Sequence, residues 1–202
     1  MENNEKMTKE NYAANRKRRI STTDMVQMAM FAAILSVSAF ISIPLPFPGA
    51  PHITLQNFCI LLIALLFPWD QALMIVITWL LLGIVGVPVF IGGKAGIGYL
   101  ASNPWGGYTL AFLPAILMMA YLRGKEYGRV RYTIVSVLGA VLIDALGMVY
   151  LRFYPQSGYN WTMAVTAGFF AFLPLDMIKA AVAAQIVPAF RRIRAAEHGK
   201  KA

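Results

Sequence analysis

The sequence predicts an all-α integral membrane protein, a compact bundle of six transmembrane helices with both termini in the cytoplasm. Apolar residues make up 58% of the 202 residues and charged residues only 13%, whereas a soluble domain carries about 25% charged residues. The apolar residues form long uncharged runs without the polar stripes of a soluble amphipathic helix. Basic residues collect outside these runs. This composition excludes a disordered chain and disfavours a water-soluble globule.

Six apolar runs carry the predicted helices, because a transmembrane helix needs about 20 mostly apolar residues. The second run is the shortest, so its fit to a bilayer is left open. Residues 24–190 are predicted to form one membrane domain, flanked by polar, basic cytoplasmic tails at residues 1–23 and 191–202. The predicted spans are residues 24–43, 53–67, 70–87, 105–122, 131–151 and 162–189.

The distribution of Lys and Arg predicts the orientation. The two tails and the segment 123–131, which joins the fourth and fifth spans, hold 15 of the 18 basic residues. The opposite loops hold only Lys94 and Arg152, and Lys179 lies within a span. Cytoplasmic segments of membrane proteins carry an excess of Lys and Arg, so both termini are predicted to be cytoplasmic. The net charge of +9 then reflects topology and attraction to the anionic lipid bilayer, and we expect no nucleic-acid partner.

A proline-rich loop separates the first two spans on the predicted outer side. Residues 44–51 contain four prolines in eight positions, and such a segment cannot continue a helix. It is therefore predicted to be stiff and extended. It serves either as a rigid connector or as a lid over a pocket.

A glycine-rich loop follows the third span, with five glycines in the 13 residues 86–98. Pro88 and Ala95 stand where a phosphate-binding loop needs Gly and Ser or Thr, so the chain shows no ATP site. Non-helical backbone at membrane depth is tolerated only where protein or a water-filled cavity covers it, so we expect this loop to line a cavity. Lys94 is either a solvated loop residue or a ligand for a carboxylate.

Charged residues inside the spans are the strongest functional signal. Asp176 and Lys179 are three residues apart and share one face of the sixth helix. Because charges in a bilayer are costly, such groups face the bundle interior and pair; the pair is either structural or, the favoured interpretation, a polar anchor for a small ligand. Asp144 faces the cavity, partners Lys179 or Arg152, or is structural. Gln56 can donate and accept a hydrogen bond, or it is only a polar residue near a helix start.

The remaining motifs concern catalysis and partners. Cys59 is the only cysteine and lies in an apolar span, and no Cys, His and carboxylate cluster has metal-ligand spacing. With no nucleophile and base set either, the chain is predicted to be no enzyme and to hold no metal.

Ala29 and Ala33 are small residues four apart, a spacing that lets another helix approach closely. They mediate either packing within the bundle or docking of a partner.

Four segments together resemble the BioY family, the biotin-specific substrate-binding (S) components of energy-coupling factor (ECF) transporters. Their order and spacing cover nearly all of residues 24–190. Trp105 stands where the family usually has Thr, and Asn103 where it usually has Gly. The segments are ITLQ at 53–56, LLGIVGVPVFIGGKAG at 81–96, NPWGGY at 103–108 and FLPLDMIKAA at 172–181.

The resemblance implies a vitamin-uptake protein of the bacterial cell membrane that captures biotin with high affinity on the outer side. It implies as partners a transmembrane coupling subunit of the EcfT type and two ATPases of the EcfA type. ATP then binds only those partners, and biotin is the transported ligand rather than a cofactor. Ala29 and Ala33 match the small-residue face that family members present to the coupling subunit.

The resemblance also implies roles for the candidate substrate-binding residues. Asp176 accepts from a ureido N–H of biotin, and Lys179 donates to the ureido carbonyl. The biotin carboxylate is held near the outer loop, where glycines permit close approach. The residues implied at that end are Gln56, Lys94, Gly92, Gly93, Gly96 and Tyr99, the last as a wall or a hydroxyl.

Two other functions compete with this interpretation. The first is a solitary membrane transporter for another small carboxylate-bearing vitamin or solute. The second is an integral membrane enzyme that uses Asp144 or Asp176, which the missing nucleophile and metal site disfavour. The proline-rich and glycine-rich loops and the ion pair favour ligand capture over an open pore.

Overall fold

The computed structural model describes residues 20–44, 52–124, 126–155 and 158–199, and these are mostly helical. A π-helical segment, Thr166–Phe170, precedes the last helix. The helices and strands in chain order are α1 (Thr22–Ser38), β1 (Ser42–Pro44), β2 (His52–Thr54), α2 (Gln56–Leu66), α3 (Trp69–Ile84), α4 (Ile97–Ser102), α5 (Gly106–Leu122), α6 (Arg129–Phe153), α7 (Trp161–Val165) and α8 (Leu173–Gly199).

Two predicted features fall largely outside the described residues. They are the N-terminal tail, of which residues 1–19 are not described, and the candidate lid, of which residues 45–51 are not described. Both stay predictions.

The first predicted helix is shorter than expected because its C-terminal part forms a strand. Helix α1 ends at Ser38 rather than at residue 43, and β1 pairs antiparallel with β2. Ile43 lies opposite Ile53 in this pair, and β-branched side chains favour extended backbone. For the same reason the second helix begins at Gln56 rather than at residue 53. The all-α prediction is therefore corrected to a helical bundle with one small two-stranded sheet.

Helix α2, the shortest of the long apolar helices, lies at the centre of the bundle. It contacts α1, α5, α6 and α8. Its 11 residues extend about 16 Å, roughly half the thickness of a bilayer hydrocarbon core of about 30 Å. Helix α2 is therefore surrounded by protein rather than exposed to lipid. Its fully buried apolar side chains are Ile60, Leu61, Ile63, Ala64 and Leu65.

The outer helices carry apolar side chains on their exposed faces. On α6, Val130, Ile134 and Leu138 recur every fourth residue and are all exposed. Soluble monomers rarely expose contiguous apolar patches of this kind. Helix α6 and the segment Trp161–Arg191 are long and apolar enough to cross a membrane, and α1, α2, α3 and α5 are shorter apolar helices. The outer surface therefore suits contact with lipid.

The last predicted span is not one continuous helix. It consists of α7, the π-helical segment and α8, with a turn at residues 171–172. Tyr108 on α5 donates a hydrogen bond to the carbonyl of Gly168 within the π-helical segment. Helix α8 then continues to Gly199, so the predicted tail at 191–202 is helical through residue 199. Its Arg and Ala residues are good helix formers, which explains the extension.

Two arginines brace the end of the bundle opposite the sheet. Arg123, directly after α5, donates to the carbonyls of Leu65 and Phe67, the second bond measuring 2.6 Å. These carbonyls lie at the end of α2, where the last helical turn leaves acceptors without partners of its own. Arg191 on α8 donates to the Tyr132 hydroxyl. Arg123 thereby fixes the end of α2 to α5, and Arg191 fixes α8 to α6.

Candidate ligand-binding site

An ion pair between α8 side chains lies at the centre of the candidate site. The Lys179 Nζ is 2.7 Å from the Asp176 Oδ1, and the two side chains are only 15% and 2% exposed. Lys179 also donates to the carbonyl of Thr54 at the end of β2, at 2.9 Å. The pairing expected from the three-residue spacing is thus present. It also connects α8 to the sheet.

Asn57 is a member of this cluster that the sequence analysis missed. Its Nδ2 donates to the second Asp176 oxygen, Oδ2, at 2.8 Å. Both carboxylate oxygens of Asp176 therefore have a hydrogen-bond donor. The available signal was the pair of adjacent amides, Gln56 and Asn57, at the start of an otherwise apolar helix. Adjacent residues on a helix point in different directions, so the two amides serve different parts of the site.

Asp144 on α6 lies beside this ion pair. Its side chain is completely buried, and it interacts electrostatically with Asp176 and Lys179. The guanidinium of Arg152, the other partner considered from the sequence, lies over the rings of Phe153 and Trp161 instead. The structure therefore places Asp144 with the cluster.

The glycine-rich loop forms a tight turn. The backbone N–H of Phe90 donates to the carbonyl of Lys94 at 2.9 Å, and the Lys94 N–H donates back to Phe90 at 3.2 Å. Gly92 and Gly93 between them have φ values of +70° and +71°, which L side chains rarely adopt. Glycine at these two positions is therefore required by the turn itself, whatever role it has toward a ligand.

Backbone hydrogen bonds fix this loop between α1 and α3. The Gly92 N–H donates to the carbonyl of Ala39, directly after α1, at 3.1 Å. The Gly96 N–H donates to the carbonyl of Gly83 near the end of α3, at 2.7 Å. The loop is thus anchored on both sides of the turn.

Gln56 supports the loop from below. Its side chain is fully buried, and its Nε2 donates to the carbonyl of Val89 at 2.9 Å. The Trp79 indole donates to the same carbonyl at 3.2 Å. Gln56 Oε1 has no hydrogen-bond partner within the part of the chain that the structure describes. Its amide group has two hydrogens, of which the bond to Val89 uses one. The second can donate to a ligand carboxylate, and this predicted contact stays a prediction.

Aromatic packing holds the base of the loop. The Phe90 ring stacks on Tyr99 at 5.2 Å and meets the edge of Trp79 at 5.4 Å. A Cβ atom on Gly83 would come within 2.1 Å of the Phe90 ring, so only glycine allows this packing. Burial raises the pKa of Tyr99 to about 12, which keeps its hydroxyl neutral. Tyr99 thus packs at the base of the loop, and its predicted role toward a ligand, as a wall or a hydroxyl, stays a prediction.

The side chain of Lys94 differs sharply from that of Lys179. It is exposed, and among the residues described here it makes neither an ion pair nor a side-chain hydrogen bond. Only its backbone takes part in the turn. Its role toward a ligand stays a prediction.

A second aromatic group, unassigned by the sequence analysis, lies near the charged cluster. The Tyr108 ring is 5.8 Å from Trp105 and 5.5 Å from Phe172. Trp105 also meets the edge of Tyr159 at 6.2 Å. Tyr108 interacts electrostatically with Asp144 and Asp176. Apolar rings thus lie beside buried polar groups, a combination that is typical of small-ligand sites.

Ala29 and Ala33 lie on the outside of the bundle. Both are exposed, so they do not mediate packing within it, one of the two alternatives considered. Ala29 borders a shallow groove of about 260 Å³ between α1 and α3, whose other lining residues include Met28, Ala32, Met74 and Ile75. The remaining alternative, docking of a partner, stays a prediction.

The fold and the candidate site define a class: a helical protein with apolar outer faces, a buried charged cluster and a glycine-rich loop bound to the start of its central helix. A crystal structure of the S-component for biotin from an ECF-type ABC transporter matches with a TM-score of 0.74 and 25% identity, over 84% of this chain and 91% of that one. The BioY family model matches residues 8–196. The chain therefore belongs to the BioY family.

Named relatives agree with this assignment. The biotin transporter BioY of Thermotoga maritima is 33% identical over 169 residues, which cover 84% of this chain and 96% of the relative. The biotin transporter BioY2 of Lactococcus lactis is 32% identical over 154 residues, which cover 76% of this chain and 81% of the relative.

Proposed function

We propose that this protein is the high-affinity biotin-binding S component of an ATP-driven ECF vitamin importer. The observation that carries the proposal is the buried cluster of Asp176, Lys179 and Asn57, found in a chain of the BioY family. In this role the protein captures biotin on the outer side of the membrane. It is a transport protein rather than an enzyme.

The charged cluster suits the ureido ring of biotin, which has two N–H donors and one carbonyl. Asp176 accepts from a ureido N–H, and Lys179 donates to the ureido carbonyl. Hydrogen bonds to ionised groups are about twice as strong as neutral ones. A carboxylate offers roughly four lone-pair sites, so Asp176 has room for the ligand beside Lys179 and Asn57.

The loop end suits the biotin carboxylate. Lys94 and the remaining amide hydrogen of Gln56 bind it there. Gly92, Gly93 and Gly96 let the backbone approach the ligand closely. The rings near the charged cluster cover the apolar thiophane.

The topology proposed is six membrane spans with cytoplasmic termini, in the bacterial cell membrane. Its support is the concentration of 15 of 18 basic residues in the two tails and one connecting segment. The short central helix α2 lies within the protein rather than against lipid. Residues 1–23 and 191–202 then lie on the cytoplasmic side.

The partners proposed are a transmembrane coupling subunit of the EcfT type and two EcfA-type ATPases, which bind the ATP. The exposed Ala29 and Ala33 on α1 are the proposed contact with the coupling subunit, because small residues let helices approach closely. Biotin is cargo, and no cofactor belongs to this chain.

Isothermal titration of the detergent-purified protein tests the proposal. Biotin is expected to release heat and saturate at one site, desthiobiotin to bind through the same ureido ring, and riboflavin and thiamine to give no heat. No heat with biotin, from protein shown to be monodisperse, would overturn the proposal. Saturable binding of a different carboxylate-bearing vitamin in place of biotin would favour the solitary-transporter alternative.

A further inference from the structure

Asp144 is a buried carboxyl group to which the proposed function assigns no role. It lies in the middle part of α6, and its side chain has no exposed surface. Within the described residues, no N–H or hydroxyl donor reaches either of its carboxyl oxygens, and the side chain within hydrogen-bonding range is another carboxyl group, that of Asp176. A buried acceptor without a donor lowers the stability of a protein, because it has given up its hydrogen bonds to water. Such a group in a binding protein points to a donor that arrives with the ligand.

The charged and titratable groups that face Asp144 come from two other helices. Asp176 and Lys179 lie on α8, which packs against α6. Tyr108 lies on α5, which also packs against α6. The Tyr108 hydroxyl is already committed to the carbonyl of Gly168. Asp144 is therefore part of the same polar centre as the ion pair.

The distribution of hydrogen-bond donors in this centre is uneven. One carboxylate oxygen of Asp176 accepts a hydrogen bond from Lys179, and the other accepts one from Asn57. Lys179 donates to Asp176 and Thr54, which leaves one of its three N–H groups. Asp144 receives no donor from the described residues. Two sets of hydrogen-bonding groups in this centre thus remain for a ligand: one N–H of the Lys179 ammonium and the carboxyl oxygens of Asp144.

We propose that Asp144 is a third recognition residue for the ureido ring, accepting a hydrogen bond from one ring N–H while Asp176 accepts from the other. This inference rests on the proposed function. Two carboxyl groups and one ammonium in the protein then match two N–H groups and one carbonyl in the ligand. Lys179 uses its remaining N–H for the ureido carbonyl. Asp144 thereby makes the site specific for a ring in which two N–H donors flank a carbonyl.

The test combines changes in the protein with changes in the ligand. Wild type, Asp144→Asn and Asp144→Leu are titrated with biotin and with biotins methylated at one ureido nitrogen or the other. Asp144→Asn is expected to weaken biotin binding about tenfold, because a neutral amide oxygen is the weaker acceptor, and Asp144→Leu more. Methylation of the nitrogen facing Asp144 should weaken binding to wild type at least tenfold. The same methylation should matter much less in Asp144→Leu, since contacting groups give non-additive effects.

Ser136→Ala is the matched control on the same helix. Ser136 is also fully buried, and its hydroxyl has no partner within the described ranges, but it lies about 12 Å along α6 from Asp144. Its removal is expected to leave biotin affinity unchanged. Each variant is first checked for monodispersity and thermal unfolding.

The outcomes separate this inference from the proposed function. Failure of wild type to bind biotin defeats the proposed function. If wild type binds biotin normally and both Asp144 variants have unchanged affinity, only the role of Asp144 is defeated. The same follows if the affinity losses caused by Asp144→Leu and by methylation simply add. If the Asp144 variants do not fold, the titration of wild type with the two methylated biotins tests the inference. Tight binding of both methylated biotins overturns it.

Discussion

The charged cluster on α8 and the glycine-rich loop each offer a lysine to the site, but in opposite surroundings. Lys179 is 15% exposed and bound to Asp176, whereas Lys94 is exposed on its loop. Exposed ion pairs contribute about 0–1 kcal/mol, while breaking a buried pair costs about 3–5 kcal/mol. The comparison teaches that ligand affinity should depend on the cluster through its side chains and on the loop mainly through its backbone.

The largest expected effect is that of removing the carboxylate from the cluster. Asp176→Ala leaves Lys179 and Asn57 without their shared partner and removes an acceptor for the ligand. We expect biotin affinity to fall at least a hundredfold, equivalent to about 2.8 kcal/mol, in isothermal titration. Asp176→Asn, which keeps the shape, separates loss of charge from loss of packing. Unchanged affinity of folded Asp176→Ala would remove this residue from the site.

Removing the ammonium should have a similar effect through a different ligand group. Lys179→Ala leaves Asp176 with only its Asn57 bond and takes away the donor for the ureido carbonyl, so affinity should fall about a hundredfold. Lys179→Arg keeps the charge but not the compact ammonium geometry, and it should recover only part of the loss. Full affinity in Lys179→Ala, measured on protein with a normal unfolding temperature, would contradict the comparison between buried and exposed lysines.

How far the sequence predicts this fold depends on whether a feature is local. Long apolar runs predict the helices because the signal for each helix lies entirely in consecutive residues of the sequence. The strand pair β1–β2 depends on contact between segments on either side of a loop, so the run ending at residue 43 gave no sign that its last residues are extended. The short helix α4 and the π-helical break before α8 are likewise set by packing on neighbouring helices, and were not predicted.

The same distinction holds for the site. Asp176 and Lys179 are one helical turn apart, and their pairing follows from their spacing. The bond from Asn57 to Asp176 joins residues 119 positions apart, so no local pattern predicts it. Asp144 stands out in its apolar run, and Lys179 and Arg152 were both possible partners for it. Only the packing of the helices decides for Lys179 and adds Tyr108 on α5.

A change beneath the loop tests whether its backbone position matters for binding. Gly83→Ala forces a Cβ to within 2.1 Å of the Phe90 ring, and overpacking of this kind costs about 1–3 kcal/mol. We expect a lower unfolding temperature and a loss of biotin affinity of about tenfold, because the ring supports the loop base. Thermal unfolding with and without biotin measures both effects.

Gly98→Ala is the matched control, since a Cβ there meets no atom within 4 Å. It should change neither the unfolding temperature nor biotin affinity. Equal behaviour of the two variants would show that the loop base does not depend on the packing of Phe90 against Gly83.

The smallest expected effect is that of the loop lysine. Lys94→Ala removes an exposed charge without leaving a buried partner, so we expect biotin affinity to fall less than tenfold, in keeping with about 0–1 kcal/mol for exposed ion pairs. The difference between wild type and variant should shrink as salt is raised, because ions screen exposed charges, whereas the loss in Lys179→Ala should not. A hundredfold, salt-independent loss in Lys94→Ala would mean that the loop closes over the ligand and buries Lys94, and the two lysines would then be equivalent in the bound state.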